Sequence, residues 1–311
     1  MVLPADPPPN LPPAGKRVVL PGGIGVNVLE EGEGPPIVLV HGLPGMAADF
    51  RNLSAALVAR GRRVIAYDRV GYGHSDLRLD DRFTVAQNAA ELESLLGAME
   101  LESPTVVGWS YGGVTGMALA ERAPDRLGRL VLVGTGGPDS AEARPPEPSL
   151  AMRLFYSDAV LRWRTRVPPL GVRLMEVLSD RAFSGGPQPD WWLAGLRANF
   201  SRWGTLLTYR GEMMSIGSSL KPAKIRAPTL LIHGDDDRLA PIAIARYLAT
   251  TIPGATLEEF PGGSHMLPVT HSAELADQIV RFSLSQVSAG TVEIDELRRR
   301  LGSHGLGYVV E

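Results

Sequence analysis

Five short runs of this chain, residues 37–40, 64–67, 105–107, 130–133 and 229–232, are almost unbroken apolar sequence rich in Val, Ile and Leu. A strand with one wet face alternates apolar and polar residues, so a run without alternation fits a strand buried on both faces. Between these runs the spacing is helical, as where Ala86, Ala89, Leu92 and Leu95 follow one another at intervals of three and Leu96 stands four after Leu92. Buried strands alternating with amphipathic helices predict an α/β fold, a mostly parallel sheet covered by helices on both faces. Further runs at 18–20 and 25–29 open the sheet and one at 257–260 closes it, giving a core of residues 16–136 and 227–285.

The alternation stops between residues 137 and 226, where helix-like segments are broken by prolines at 145–146 and 168–169 and by Gly185-Gly186-Pro187. This stretch holds nine of the chain's 19 aromatic residues and four of its five tryptophans, and it reads as a helical cap inserted into the core. A cap of this size has little interior of its own, so Trp191, Trp192, Phe200 and Trp203 are expected to line an apolar substrate pocket. It also carries 13 Lys and Arg against 8 Asp and Glu, which fits a solvated basic face. An arginine turned inward would instead hold an anionic substrate. Residues 1–15 are proline-rich and expected to form an extended, mobile tail. Residues 286–311 place acids before arginines and then Gly302, the pattern of a short helix. That helix is expected to dock on the body or on a second copy of the chain, as a homo-oligomer.

Composition narrows the chemistry. The chain has no cysteine, which removes disulfides, thiolate metal sites and cysteine nucleophiles. A formal net charge of -3 gives no basic footprint for nucleic acid, and no segment approaches the roughly 18 apolar residues of a membrane span. The opening residues lack the positive start and apolar stretch of a secretory signal, so a cytoplasmic location is expected. No cofactor or metal is expected. The aspartates at 235–237 point in different directions from one loop, and no His or Glu cluster accompanies them at ligand spacing.

Residues 108–113 read Gly-Trp-Ser-Tyr-Gly-Gly, directly after the run at 105–107 and before a helical segment that reaches Pro124. A serine on a strand-to-helix turn takes a strained backbone and leaves little room for side chains two residues away on either side. The glycines answer that crowding. The turn lifts the hydroxyl of Ser110 above the sheet at a helix start, where free backbone N–H groups favour negative charge.

At these residues the sequence resembles the α/β-hydrolase superfamily, in its serine-nucleophile branch of carboxylesterases and related cap-bearing enzymes. The resemblance extends over residues 16–285. His41-Gly42-Leu43-Pro44-Gly45 is similar to the family's loop after the preceding strand, and residues 68–76 to its next turn. It implies a nucleophile at Ser110 and an oxyanion hole from the backbone N–H groups of Leu43 and Tyr111. A serine hydroxyl needs an adjacent base, and that base a group to orient it. Of six histidines, His304 lies in the tail, His271 opens a helix, and His41, His74 and His233 fall in turns that need no chemistry. His265 stands on a glycine-loosened loop after the last strand, where the family keeps its base. The family's acid falls three residues after a glycine and four before a proline, which Gly234 and Pro241 assign to Asp237.

The expected activity is hydrolysis of a small-molecule carboxylic ester through an acyl-enzyme. Relatives with the same three residues cleave lactones, carbon–carbon bonds beside a ketone or N-terminal proline peptides, and some perhydrolases make peracids. Epoxide hydrolases and haloalkane dehalogenases carry aspartate where this chain has Ser110. A different class, a ligand receptor with vestigial hydrolase activity, would share the fold and the three residues.

Overall fold

A computed structural model describes residues 2–3, 11–12, 14–78, 83–137, 157, 168–215 and 220–285. Eight strands, β1 Lys16–Val19, β2 Gly25–Glu31, β3 Pro36–Val40, β4 Arg63–Tyr67, β5 Thr105–Trp109, β6 Arg129–Val133, β7 Thr229–Gly234 and β8 Thr256–Phe260, form one sheet. Their order is β8-β7-β6-β5-β3-β4-β2-β1. From β8 to β4 all neighbours are parallel, while β2 runs antiparallel to β4 and β1 antiparallel to β2.

The alternation of side chains along each strand divides the core into two layers. Val38, Val40, Val106, Leu130 and Leu132 face one way and pack with Leu92 and Leu96 of helix α2 (Val85–Ala98), Met117 of α3 (Tyr111–Arg122) and Leu248 of α7 (Ile242–Thr251). Ile37, Leu39, Val107, Val131 and Val133 face the other way, against Leu53 and Leu57 of α1 (Arg51–Val58) and Leu275 and Ile279 of α8 (Ser272–Leu284). Both faces are therefore dry, which is why the central strands carry no polar alternation. The edge strand β8 is different: Glu258 and Glu259 lie on it, paired with Arg281 and Arg246, charges that discourage pairing with another edge.

Between β6 and β7 stand α4 (Pro168–Ala182), α5 (Asp190–Phe200) and α6 (Trp203–Ser215). Met175, Leu196, Phe200, Leu206 and Tyr209 form a small core among them, whereas Trp192 and Phe183 join the core of the main sheet. Apart from residue 157, the expected cap between 138 and 167 lies outside the described residues, as does the segment 286–311. Val2–Leu3 pair antiparallel with Leu77–Arg78, and the Pro12 carbonyl lies 2.7 Å from His74 Nε2. The opening segment is thus attached to the body at those points, since Val2 and Leu3 keep the backbone donors that its prolines lack.

Candidate active site

Ser110 follows β5 directly and takes φ 54° and ψ -120°, a left-handed conformation that costs a non-glycine residue on the order of 1–3 kcal/mol. Neighbours hold it there: its N–H donates to the Val133 carbonyl at 2.9 Å, and its own carbonyl accepts from Gly113 N–H and Thr135 Oγ1, both at 3.0 Å. A Cβ on Gly108 would lie 2.4 Å from the Gly112 carbonyl oxygen, and one on Gly112 would lie 2.0 Å from that of Val40. The glycines around the serine are demanded by backbone packed against backbone.

The loop after β7 turns on Asp237, whose Oδ1 accepts from the N–H groups of Leu239 and Ala240 at 2.9 and 2.8 Å. Its Oδ2 lies 2.7 Å from His265 Nδ1. Burial pushes the pKa of this carboxyl up, but hydrogen bonds from His233, His265 and the Ala240 N–H outweigh it and hold the group ionised well below the usual carboxylate range. Its neighbours are used otherwise. Asp235 accepts from the Gly262 N–H at 2.7 Å, and Asp236 pairs on the surface with Arg238.

His233, which the sequence places in a turn without chemistry, has its Nε2 3.4 Å from the same Asp237 Oδ2 while bonding the Ala240 carbonyl at 2.7 Å. Trp109, the residue before the serine, donates its indole N–H to the His265 carbonyl at 2.9 Å. At the end of β6 a Cβ on Gly134 would sit 3.4 Å from both Asp237 Oδ2 and His265 Nδ1. Asp237 and His265 are thus in contact beyond the carboxyl ends of the parallel strands, where open α/β sheets place ligands, and Ser110 stands at the same end of the sheet directly after β5.

The loop of Leu43 lies against the serine, since a Cβ on Gly42 would sit 3.1 Å from the Ser110 Cβ. Tyr111 is the first residue of α3, so its N–H has no intrahelical acceptor. Among the described residues, neither that N–H nor the N–H of Leu43 donates to a protein group. His41 is fully buried. Its Nε2 accepts from the Arg69 N–H at 3.0 Å and its Nδ1 donates to the Gly42 carbonyl at 2.9 Å. Burial, then the Arg69 charge, pushes its pKa well below the ordinary value, so the ring is neutral.

Of the expected pocket residues, Trp192 packs against Trp109, the residue before Ser110: their ring centroids are 6.0 Å apart, and the Trp192 indole N–H donates to Ser179 Oγ at 2.8 Å. Trp192 also lines a cleft with Pro44, Gly45, Met46, Asp49 and Asn199 beside the Leu43 loop. Trp191 lies under the Arg51 guanidinium at 4.0 Å, and Phe200 packs on Tyr209 at 5.3 Å within the inserted helices' own core. Trp203 opens α6, and its side chain lies outside the described residues. Among the described residues no group of His, Asp and Glu is placed to hold a metal ion.

A family model of the alpha/beta hydrolase fold matches residues 35–272. A 2-hydroxymuconate semialdehyde hydrolase of Pseudomonas sp. strain CF600 is 29% identical over 294 residues, 92% of this chain and 99% of its own length. A 2-hydroxy-6-oxo-2,4-heptadienoate hydrolase of Pseudomonas putida is 31% identical over 81% of this chain and 90% of its own. In fold, the chain is similar to the solved structure of an esterase from Exiguobacterium antarcticum, with a TM-score of 0.74 at 21% identity over 87% of this chain and all of that one.

Proposed function

Starting from the fact that the chain belongs to the alpha/beta hydrolase fold family, we propose that it hydrolyses bonds to an acyl carbon through an acyl-enzyme on Ser110, with carboxylic esters as its first substrate class. The observation that carries this reading is the 2.7 Å contact of Asp237 Oδ2 with His265 Nδ1 beside a serine held in a left-handed turn. With its Nδ1–H donating to the Asp237 carboxylate, His265 has Nε2 free to accept the Ser110 proton as the oxygen attacks. The N–H groups of Leu43 and Tyr111 receive the developing oxyanion. His265 then protonates the leaving group, and water repeats the cycle on the acyl-enzyme. An alkoxide leaves far more readily than an amine, which favours esters over amides.

The inserted helices act in this reading as a cap, with Trp192 forming apolar roof beside the nucleophile. Each buried methylene of the acyl chain contributes about 0.8 kcal/mol until the pocket is full, whereas an unpaired charge there loses its water without return. Comparing kcat/KM for propionyl, hexanoyl and succinyl monoesters tests this: hexanoyl is expected to lead. A preference for the succinyl ester would replace the apolar roof with an inward arginine.

The relatives favour a second reading. The compound 2-hydroxy-6-oxo-2,4-heptadienoate, named for one of them, has no ester, and the bond open to hydrolysis is the carbon–carbon bond beside its 6-oxo carbon. The same attack by Ser110 on a ketone serves that reaction, with a carbanion as leaving group. Assaying p-nitrophenyl esters, lactones, prolyl amides and a 6-oxo-dienoate side by side separates these readings, and turnover of the dienoate alone would replace the ester assignment. Slow turnover of all with a large ligand-induced thermal shift would point to a receptor.

A further inference from the structure

The carbonyl of Gly42 is gripped by two donors, His41 Nδ1 at 2.9 Å and Arg69 Nη2 at 2.8 Å. The Gly42–Leu43 peptide is trans, so its C=O and N–H lie in one plane and point in opposite directions. Fixing the carbonyl therefore aims the N–H of Leu43. Arg69 tightens the same loop twice more: its Nε donates to the His41 carbonyl at 3.3 Å, and its backbone N–H sets the His41 tautomer at 3.0 Å.

Arg69 is 1% exposed and takes its counter-charge from 143 residues away. Glu212 of α6, itself fully buried, pairs with Arg69 Nη1 and also accepts from Tyr72 Oη at 2.7 Å and Asn88 Nδ2 at 2.8 Å. The guanidinium carbon lies 4.8 Å from the ring centre of Tyr72 and 4.7 Å from that of Tyr111, the second expected oxyanion donor. A buried ion pair of this kind is often no more stabilising than an apolar pair of similar volume, so stability alone does not account for it.

We infer that Arg69 is the positioning residue of the oxyanion hole, and that Glu212, delivered by the inserted helices, holds Arg69 in the orientation that aims the Leu43 N–H. The inserted segment then completes the hole from behind as well as roofing the pocket. This rests on the Ser110 reading above.

The test compares the parent with Glu212→Gln, the double variant Arg69→Met/Glu212→Met, and Ser110→Ala, using p-nitrophenyl butyrate and a trifluoromethyl ketone, which forms an oxyanion on a serine. The double variant removes both charges at once, leaving no lone buried ion, and is expected to unfold cooperatively near the parent's Tm. Its kcat should fall about 100-fold, the loss typical of one missing oxyanion donor, with KM within about threefold. Its Ki for the trifluoromethyl ketone should rise in proportion to the fall in kcat. Glu212→Gln should lose about tenfold in kcat at unchanged KM. A folded double variant with kcat within about threefold of the parent, or a loss carried by KM, overturns the inference. If the double variant does not fold, Glu212→Gln decides: parental kcat overturns the inference and the tenfold loss sustains it. Ser110→Ala separates the two levels, because only its retained activity would sink the serine reading itself.

Discussion

Asp49 stands in the turn Ala47–Phe50 directly after the Leu43 loop, 5% exposed, and its Oδ2 accepts the Met46 N–H at 2.8 Å. Burial pushes its carboxyl up to about 7; the Met46 bond opposes this, Asp68 adds to it and Arg51 opposes it. In the unfolded chain the group titrates near 3.9. Between about pH 4 and 7 the folded protein therefore keeps a proton that the unfolded chain has released, so stability falls as pH rises through that window and is flat above it. Three pH units at about 1.4 kcal/mol each amount to on the order of 4 kcal/mol. Asp49→Asn removes the titration and leaves an amide oxygen to accept the Met46 N–H. The variant should match the parent near pH 4 and exceed it by on the order of 4 kcal/mol at pH 8. Urea unfolding followed by tryptophan fluorescence at each pH measures this difference. An advantage that does not change with pH, or a variant less stable than the parent at pH 8, would refute the reasoning.

Asp237→Asn should lower kcat by about 10⁴-fold, as loss of the acid does in a Ser-His-Asp triad, while Asp235→Asn and Asp236→Asn cost far less. Steady-state kinetics on one ester ranks the three. Gly112→Ala drives a Cβ to 2.0 Å from the Val40 carbonyl oxygen and should destabilise by about 3 kcal/mol or more, whereas Gly97→Ala, whose Cβ meets only the Arg126 side chain at 3.4 Å, should be tolerated. Denaturant midpoints compare them. Trp192→Ala removes the ring that packs on Trp109 and Phe183 and should cost about 3–5 kcal/mol, read as a shift in the same midpoint.

The buried strands were legible because β3 to β7 are covered on both faces, and such strands write themselves as unbroken apolar runs. Ser110 and its glycines were legible for a local reason too, since the clashes that forbid side chains at 108 and 112 arise within one turn and its neighbouring strand. Asp237 and His265 needed the family resemblance to be chosen among similar residues, and the 2.7 Å contact between them is visible only in three dimensions. Arg69 and Glu212 had no local signature. One looks like part of a turn and the other like a polar position on a helix, and only the fold brings them together. Phe200 shows the limit of reading aromatics: an apolar side chain on a helix must be buried, but its spacing does not say whether the cover is a pocket or the neighbouring Tyr209. His233 lacked a signal for the same reason, because its role lies in a carboxylate that a turn of the chain folds back over it.

The central claim is that Ser110 carries the acyl group. Quenching the reaction with p-nitrophenyl acetate in acid within the first turnover and digesting the protein for mass spectrometry tests it directly. The acetyl group should be found on the peptide containing Ser110, and Ser110→Ala should carry none and lose its turnover while keeping the parent's unfolding transition. An acetyl group located on another residue, or a Ser110→Ala variant with activity within about tenfold of the parent, would contradict the account.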